Sequence, residues 1–129
     1  MKEVTIDYTK AYMKDLRKFT PQEKNKIDQK INRMVDLYLT HPEHFYQNII
    51  KLNRRIPGAD AMESSLYVYK LDRKIRLIFS IDEDPIFDQL LITLFRMVRP
   101  DNLEKAFRSI ASSLYQSSKF YADEVGNDG

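Results

Sequence analysis

Lys70 and Arg76 are the two residues whose types and spacing could do chemistry. They lie in two runs of strand-forming residues, Leu66–Leu71 and Ile75–Ile81, separated by the polar segment 72–74. If residues 72–74 form the loop of a β-hairpin, Lys70 lies directly opposite Arg76. Like charges at such a position destabilise a strand pair, and a fold that keeps them often places an anion between them. The pair therefore predicts an anion-binding site.

The same register divides the other side chains of the hairpin between two faces. One face is apolar and aromatic and carries Tyr67, Tyr69, Leu71, Ile75, Leu77 and Phe79. The opposite face carries Leu66, Val68, Ile78 and Ser80 beside the two basic residues. We expect the tyrosines to belong to the core rather than to stack on bases.

Basic residues cluster around this hairpin, although the net charge of the chain is only +2. The segment 51–76 contains seven of them, Lys51, Arg54, Arg55, Lys70, Arg73, Lys74 and Arg76, against three acidic residues. The segment 82–88 has the reverse pattern, with four acidic residues and no basic one. The charge is laid out in patches, so a polyanion would bind locally. A simpler interpretation is that Lys70 and Arg76 are solvated or pair with Asp82, Glu83 or a helix carboxylate such as Glu104.

Composition narrows the class of protein. The 129 residues, 43% of them hydrophobic and 31% charged, suit one globular domain. The chain has no cysteine, which excludes disulfides, cysteine nucleophiles and cysteine-based zinc sites. His41 and His44 flank a proline and lack a third histidine, so we expect no metal and no cofactor. With no signal peptide and no membrane span in the sequence, we expect a soluble, cytoplasmic protein.

The elements that must position the hairpin follow from local patterns. A short strand at 4–6 precedes a helix capped by Thr9, and a capping box at Thr20 and Glu23 opens a second helix that ends near Pro42. A third strand, Gln89–Met97, follows the hairpin. Pro100 and a second capping box at 101–104 then open a final helix, while the segment 45–52 is left undecided between helix and strand.

This order predicts an α+β domain over residues 1–116 and a polar, flexible tail over 117–129. The expected architecture is a small antiparallel sheet of about four strands, with an N-terminal helical hairpin and a C-terminal helix. We expect the helices to lie on one face of the sheet.

The hairpin also resembles a known family. The strand LYVYKL at 66–71, the strand start RLIF at 76–79 and the basic lead-in at 50–55 resemble the RelE/ParE superfamily of bacterial type II toxins. The resemblance covers residues 4–114 and implies the RelE-like fold. It also implies a cognate antitoxin as partner and, in the RNA-cleaving branch, cleavage of mRNA on the ribosome without a metal.

The resemblance assigns roles to individual positions. Lys70 would assist proton removal from the attacking 2′-hydroxyl or hold the phosphate, and Arg76 would stabilise charge on the phosphoryl oxygens. Arg96 and Arg99, at the end of the last strand, are further candidate catalytic residues. The predicted RNA-binding residues are Lys51, Arg54, Arg55, Arg73 and Lys74.

Two departures from the family pattern keep alternatives open. The second basic residue of the first hairpin strand falls on Val68, and the nearest tyrosine after the last strand is Tyr115. The gyrase-inhibiting ParE branch shares the fold without the nuclease residues, so DNA gyrase is an alternative target. A non-catalytic RelE-like binding domain is the third possibility.

Overall fold

The computed structural model describes residues 2–50 and 66–114. Three predicted RNA-binding residues, Lys51, Arg54 and Arg55, lie outside the described residues. The predicted tail 117–129 and Tyr115 lie outside them too, so these predictions stay predictions.

The described residues form five strands and four helices. The N-terminal half contains β1 (Glu3–Tyr8), α1 (Lys10–Leu16), α2 (Pro21–Thr40), α3 (Pro42–Gln47) and β2 (Ile49–Ile50). The C-terminal half contains β3 (Leu66–Lys70), β4 (Arg76–Asp84), β5 (Gln89–Val98), a 3₁₀ turn (Pro100–Asn102) and α4, which covers residues 103–114. None of the described helices is both long and apolar enough to span a membrane.

The strands form one sheet in the order β1-β5-β4-β3-β2. The predicted hairpin register is confirmed at all five pairs, with Lys70 opposite Arg76 and Tyr67 opposite Phe79. The predicted antiparallel sheet is confirmed for the pairs β2–β3, β3–β4 and β4–β5, whereas β1 runs parallel to β5 at one edge. This parallel pair needs a long crossover, which the intervening helices and strands provide.

Helices cover both faces of the sheet, which corrects the expectation that they lie on one. On the first face, α1, α2 and α3 bury Leu77, Phe79 and Leu94. On the second face, α4 packs through Leu103 and Phe107 on the apolar side chains of β3, β4 and β5. A sheet with apolar residues on both faces has to be covered on both.

Local signals set the helix boundaries much as predicted. The Thr9 side chain accepts a hydrogen bond from the Tyr12 amide at 3.1 Å and thereby caps α1. At the start of α2, Thr20 and Glu23 form the reciprocal capping box. At the start of the final helix, a 3₁₀ turn over Pro100–Asn102 precedes α4, which begins at residue 103.

The segment 45–52, which the sequence left undecided, contains the end of α3 and strand β2, while residues 51–52 lie outside the described residues. Phe45 is fully buried in α3, and its ring lies edge-on to those of Tyr38, Tyr67 and Phe79 at centroid distances of 5.1, 6.0 and 6.2 Å. Such edge-to-face contacts add to the free energy of burial. Phe45 therefore links α2 to the β3–β4 hairpin.

Replacing Phe45 with alanine should lower the free energy of unfolding by about 3–5 kcal/mol, because it leaves a cavity among these rings. Phe87 is 70% exposed and provides the matched control. Phe87→Ala should change the free energy by less than about 0.5 kcal/mol. Urea unfolding followed by circular dichroism measures both values, and equal effects would contradict this placement of α3.

Candidate functional site

A groove of about 670 Å³ opens at the end of the sheet where β5 ends and β4 begins. We call it the basic groove. Its walls are the C-terminal end of α1, the turn between β3 and β4, the end of β5 and the first two turns of α4. The residues that line it are Asp15, Lys18, Phe19, Glu23, Asp72, Lys74, Ile75, Arg96, Met97, Val98, Arg99, Asn102, Lys105, Ala106 and Ser109.

The charged side chains of the basic groove differ in how they are used. The acidic side chains form hydrogen bonds within the protein. The Asp72 carboxylate accepts hydrogen bonds from the backbone amides of Lys74 and Ile75 at 2.7 and 2.8 Å. Glu23 accepts the Thr20 amide at 2.9 Å, and the hydrogen bonds with Thr20 lower the pKa of its carboxyl. Both carboxylates therefore have structural roles in a turn and a helix cap.

The third carboxylate, that of Asp15, holds Arg96. Asp15 lies near the end of α1 with a side chain only 8% exposed, and it accepts from Arg96 Nε at 2.7 Å and Arg96 Nη2 at 3.2 Å. It also accepts the Met97 amide at 3.0 Å. A two-point guanidinium–carboxylate contact fixes the plane of the guanidinium. Arg96 is thus held rigidly while 37% of its side chain remains exposed.

A β-bulge in β5 makes this contact possible. Ile78 pairs with Arg96 and Phe79 with Leu94, so Phe95 is an extra residue in β5. The Phe95 carbonyl accepts from the Thr9 hydroxyl at 3.0 Å, which ties the start of α1 to the bulge. Helix α1 is therefore fastened to β5 at both of its ends.

Four cationic side chains of the basic groove have no such partners. Lys18, Lys74, Arg99 and Lys105 line it, and within the described part of the chain none of their side chains forms a hydrogen bond or ion pair. The lining has five cationic side chains against three carboxylates, so the groove has an excess of two positive charges. The arrangement can bind an anion with several negative charges.

The structure brings together only some of the predicted site residues. Arg96, Arg99 and Lys74 line the basic groove, whereas Lys70, Arg73 and Arg76 do not. Lys70 and Arg76 continue the row of Val98 across the sheet. The Arg76 guanidinium bends towards the turn, where Nη1 donates to the carbonyls of Asp72 and Ile75 at 2.7 and 3.4 Å. Arg76 therefore lies behind one wall of the groove.

The face that carries Lys70 and Arg76 is mostly covered. Val68, the position where the resemblance expects a second basic residue, is 1% exposed beneath α4. A lysine there would lose its hydration. The exposed basic surface is consequently the end of the sheet and not the face of the hairpin.

Three residues that line the basic groove were missed by sequence reasoning. Lys18 and Lys105 stand alone among unremarkable helix residues, and nothing in their spacing marks them. Asp15 carried a signal, because it lies three residues after Tyr12 and four before Phe19, on the apolar stripe of α1. A carboxylate on a buried stripe requires a buried partner.

Within the described residues, no group of His, Cys, Asp and Glu side chains could hold a metal ion. The cationic side chains and backbone groups of the basic groove can bind anions, orient them and stabilise charge that develops on them.

We expect Arg96→Ala to lower the free energy of unfolding by about 2–3 kcal/mol, since it leaves the buried Asp15 carboxylate with the Met97 amide alone. The Asp15→Ala/Arg96→Ala double variant should lose less than the sum of the single losses, because the two residues contact each other. Chemical unfolding of all three proteins measures this coupling.

Arg108→Ala is the matched control, since Arg108 forms an exposed i,i+4 pair with Glu104 at 3.5 Å. It should cost no more than about 0.5 kcal/mol. An Arg96→Ala protein as stable as Arg108→Ala would contradict the structural role of the Asp15–Arg96 pair.

Neither a protein-family model nor a curated protein matches the sequence. Several solved structures are similar to it. The YoeB/ParE toxin from Agrobacterium tumefaciens is 12% identical, with 77% of this chain and 98% of that chain covered at a TM-score of 0.46. YafQ from E. coli strain BL21(DE3) is 16% identical, with 78% and 98% covered at a TM-score of 0.47.

A chain of the toxin–antitoxin complex RelBE2 from Mycobacterium tuberculosis is 14% identical, with 74% of this chain and 95% of that chain covered at a TM-score of 0.37. The names of these structures agree with the resemblance to RelE/ParE toxins noted in the sequence. With TM-scores below 0.5, they carry no conclusion about what this chain does.

Proposed function

We propose that this chain is a toxin of the RelE/ParE type whose basic groove binds the phosphates of single-stranded mRNA. The observation that carries the proposal is the excess of cations at the groove: five basic and three acidic side chains line it, and four of the cations have no side-chain partner among the described residues. Single-stranded nucleic acid presents one negative charge per nucleotide along a flexible backbone, which suits a positively charged groove. The whole chain has a net charge of only +2, so the attraction for RNA is local to the groove.

The proposed reaction is cleavage of the bound RNA by its own 2′-hydroxyl. The 2′-oxygen forms a bond to phosphorus while the bond from phosphorus to the 5′-oxygen breaks. The proton lost from the 2′-hydroxyl is balanced by one gained at the 5′-oxygen, and the products are a 2′,3′-cyclic phosphate and a 5′-hydroxyl. This step needs alignment and charge stabilisation, which cationic side chains can supply.

Within this proposal the arginines and lysines have different roles in the reaction. Arg96, held by Asp15, stabilises charge on the phosphoryl oxygens, while Arg99 and Lys74 hold neighbouring phosphates. Lys70 and Arg76, in the row beside the groove, are the residues that the resemblance assigns to proton transfer and charge stabilisation. The RNA would be mRNA on the ribosome, and a cognate antitoxin would be the protein partner.

A non-catalytic RNA-binding domain is the second candidate, and one observation favours it. Arg76 is bonded to the carbonyls of its own turn, and the described carboxylates of the groove have structural partners. Fewer groups are then free to move a proton than to bind phosphate. Binding and cleavage therefore require separate tests.

If about four phosphates contact the groove, the logarithm of the binding constant should fall with the logarithm of the salt concentration with a slope of about −2.8, since each contact with a single strand contributes about −0.7. Lys74→Ala and Arg99→Ala should each make the slope shallower by about 0.7. Fluorescence anisotropy with a labelled oligouridine in a KCl series measures both effects.

Arg33 is exposed on α2 away from the basic groove, so Arg33→Ala should leave the slope unchanged. If all three variants behave alike, the RNA does not bind in the basic groove.

Cleavage should appear on induced expression in bacteria as arrested growth with new 5′-hydroxyl ends in translated mRNA. Lys74→Ala/Arg99→Ala should restore growth while the protein remains folded, because both side chains are exposed. Sequencing of RNA ends, combined with immunoblotting for protein level, measures the outcome. Growth arrest with intact mRNA and DNA breaks would instead indicate a gyrase target, and RNA binding without arrest would indicate the non-catalytic domain.

A further inference from the structure

The turn between β4 and β5, residues 85–88, presents two large apolar side chains to solvent. We call this turn the apolar tip. Ile86 is 84% exposed and Phe87 is 70% exposed, the highest values among the exposed large hydrophobic residues of the described chain. Adjacent exposed apolar residues at the end of a hairpin mark a contact surface more often than isolated ones do.

Hydrogen bonds to backbone groups of the apolar tip hold it in one conformation. Asp84 Oδ1 accepts the amides of Ile86 and Phe87 at 3.0 and 3.3 Å. Asp88 adopts a left-handed conformation with φ 51°, and its carbonyl accepts the Glu3 amide at 3.0 Å. A partner would therefore meet a pre-organised surface, which lowers the entropy cost of binding.

Acidic residues surround the apolar tip. Asp82, Glu83, Asp84 and Asp88 lie within the segment 82–88, which has no basic residue. Lys2 reaches one of them, Glu83, at 3.3 Å. The partner that fits is consequently a surface with an apolar floor and an excess of cations.

The basic groove of the same protein has this character. Half-buried Phe19 and Ile75 form part of its lining, between the cations Lys18, Lys74, Arg99 and Lys105. Its volume of about 670 Å³ falls within the range of sites that bury small ligands, so it has room for two apolar side chains.

The apolar tip and the basic groove lie at opposite ends of β5. Asp84 pairs with Gln89 at one end, and Arg76 pairs with Val98 at the other. Ten residues of strand separate the ends by roughly 30 Å. The tip of one molecule thus reaches only the groove of another.

We infer that two copies of this chain associate head to tail, with Ile86 and Phe87 of one copy in the basic groove of the next. The carboxylates beside the tip then face the groove cations. Because donor and acceptor surfaces differ, the contact is heterologous, and it extends into longer assemblies unless the rotation closes a ring. A contact of this size is weak and depends on protein concentration and salt.

Sedimentation velocity of the full chain tests this inference. In low salt, the weight-average mass should rise to at least about twice the monomer mass of 15.3 kDa as the concentration increases. Phe87→Ser, which removes the apolar contact, and Lys74→Glu/Arg99→Glu, which reverses the groove charge, should each stay monomeric alone.

A mixture of these two variants gives the decisive result. One partner retains an intact groove and the other an intact tip, so the mixture should form a 1:1 dimer that grows no further. Arg33→Glu and Leu39→Ser, which alter exposed residues elsewhere, should assemble like the unaltered chain.

Three outcomes would overturn the inference: a monomer at all concentrations, a mixture that stays monomeric, or a groove variant that still associates through its tips. The proposed RNA binding is tested separately by adding an oligouridine to the assembled protein. Oligouridine should dissociate the assembly, and this step alone rests on the proposed function. Assembly that oligouridine leaves intact would contradict RNA binding in the groove and would leave the head-to-tail contact standing.

Discussion

The carboxylate of Asp15 is the contact on which the basic end of the molecule depends. A buried carboxylate is tolerated only where it is paired and hydrogen-bonded, and here three N–H groups of Arg96 and Met97 satisfy it. These bonds hold the end of α1 against the end of β5, and so they fix the distance between two walls of the groove. They also hold one arginine in place while its neighbours stay free. The same interaction therefore serves packing, geometry and charge placement.

Charge is separated along the sheet, and the separation follows from strand direction. In the β4–β5 hairpin the acidic residues occupy the turn, whereas Arg76, Arg96 and Arg99 lie at the open end. The basic turn of the β3–β4 hairpin comes to that same end because β3 and β4 are also antiparallel. A net charge of +2 conceals this dipolar arrangement. The net charge of the chain is thus a poor guide to its binding partners, whereas the positions of the hairpin turns indicate which end of the sheet is basic and which is acidic.

Local sequence patterns predicted the features that depend on interactions between residues close together in the chain. A three-residue loop between apolar runs fixes one register, so Lys70 lies opposite Arg76, and a capping box fixes the start of α2 at Pro21. What the sequence concealed depends on contacts far apart in the chain. The parallel pairing of β1 and the Asp15–Arg96 pair join segments more than 80 residues apart, and the bulge at Phe95 interrupts the register between β4 and β5. The bulge matters most, because one extra residue brings Leu94 and Met97 to the same face, which strict alternation cannot predict.

The cost of the basic groove is the strongest reason to consider it functional. Lys70 opposite Arg76 weakens the strand pair beside the groove, and the groove itself is lined by five cations against three carboxylates. Acidic residues are available on the chain, yet the nearby ones cap a helix, close a turn or hold Arg96. A sequence selected for stability alone would have used an exposed position near the groove for a compensating acid. Local conflicts of this kind concentrate at functional sites, where an anionic partner supplies the missing charge.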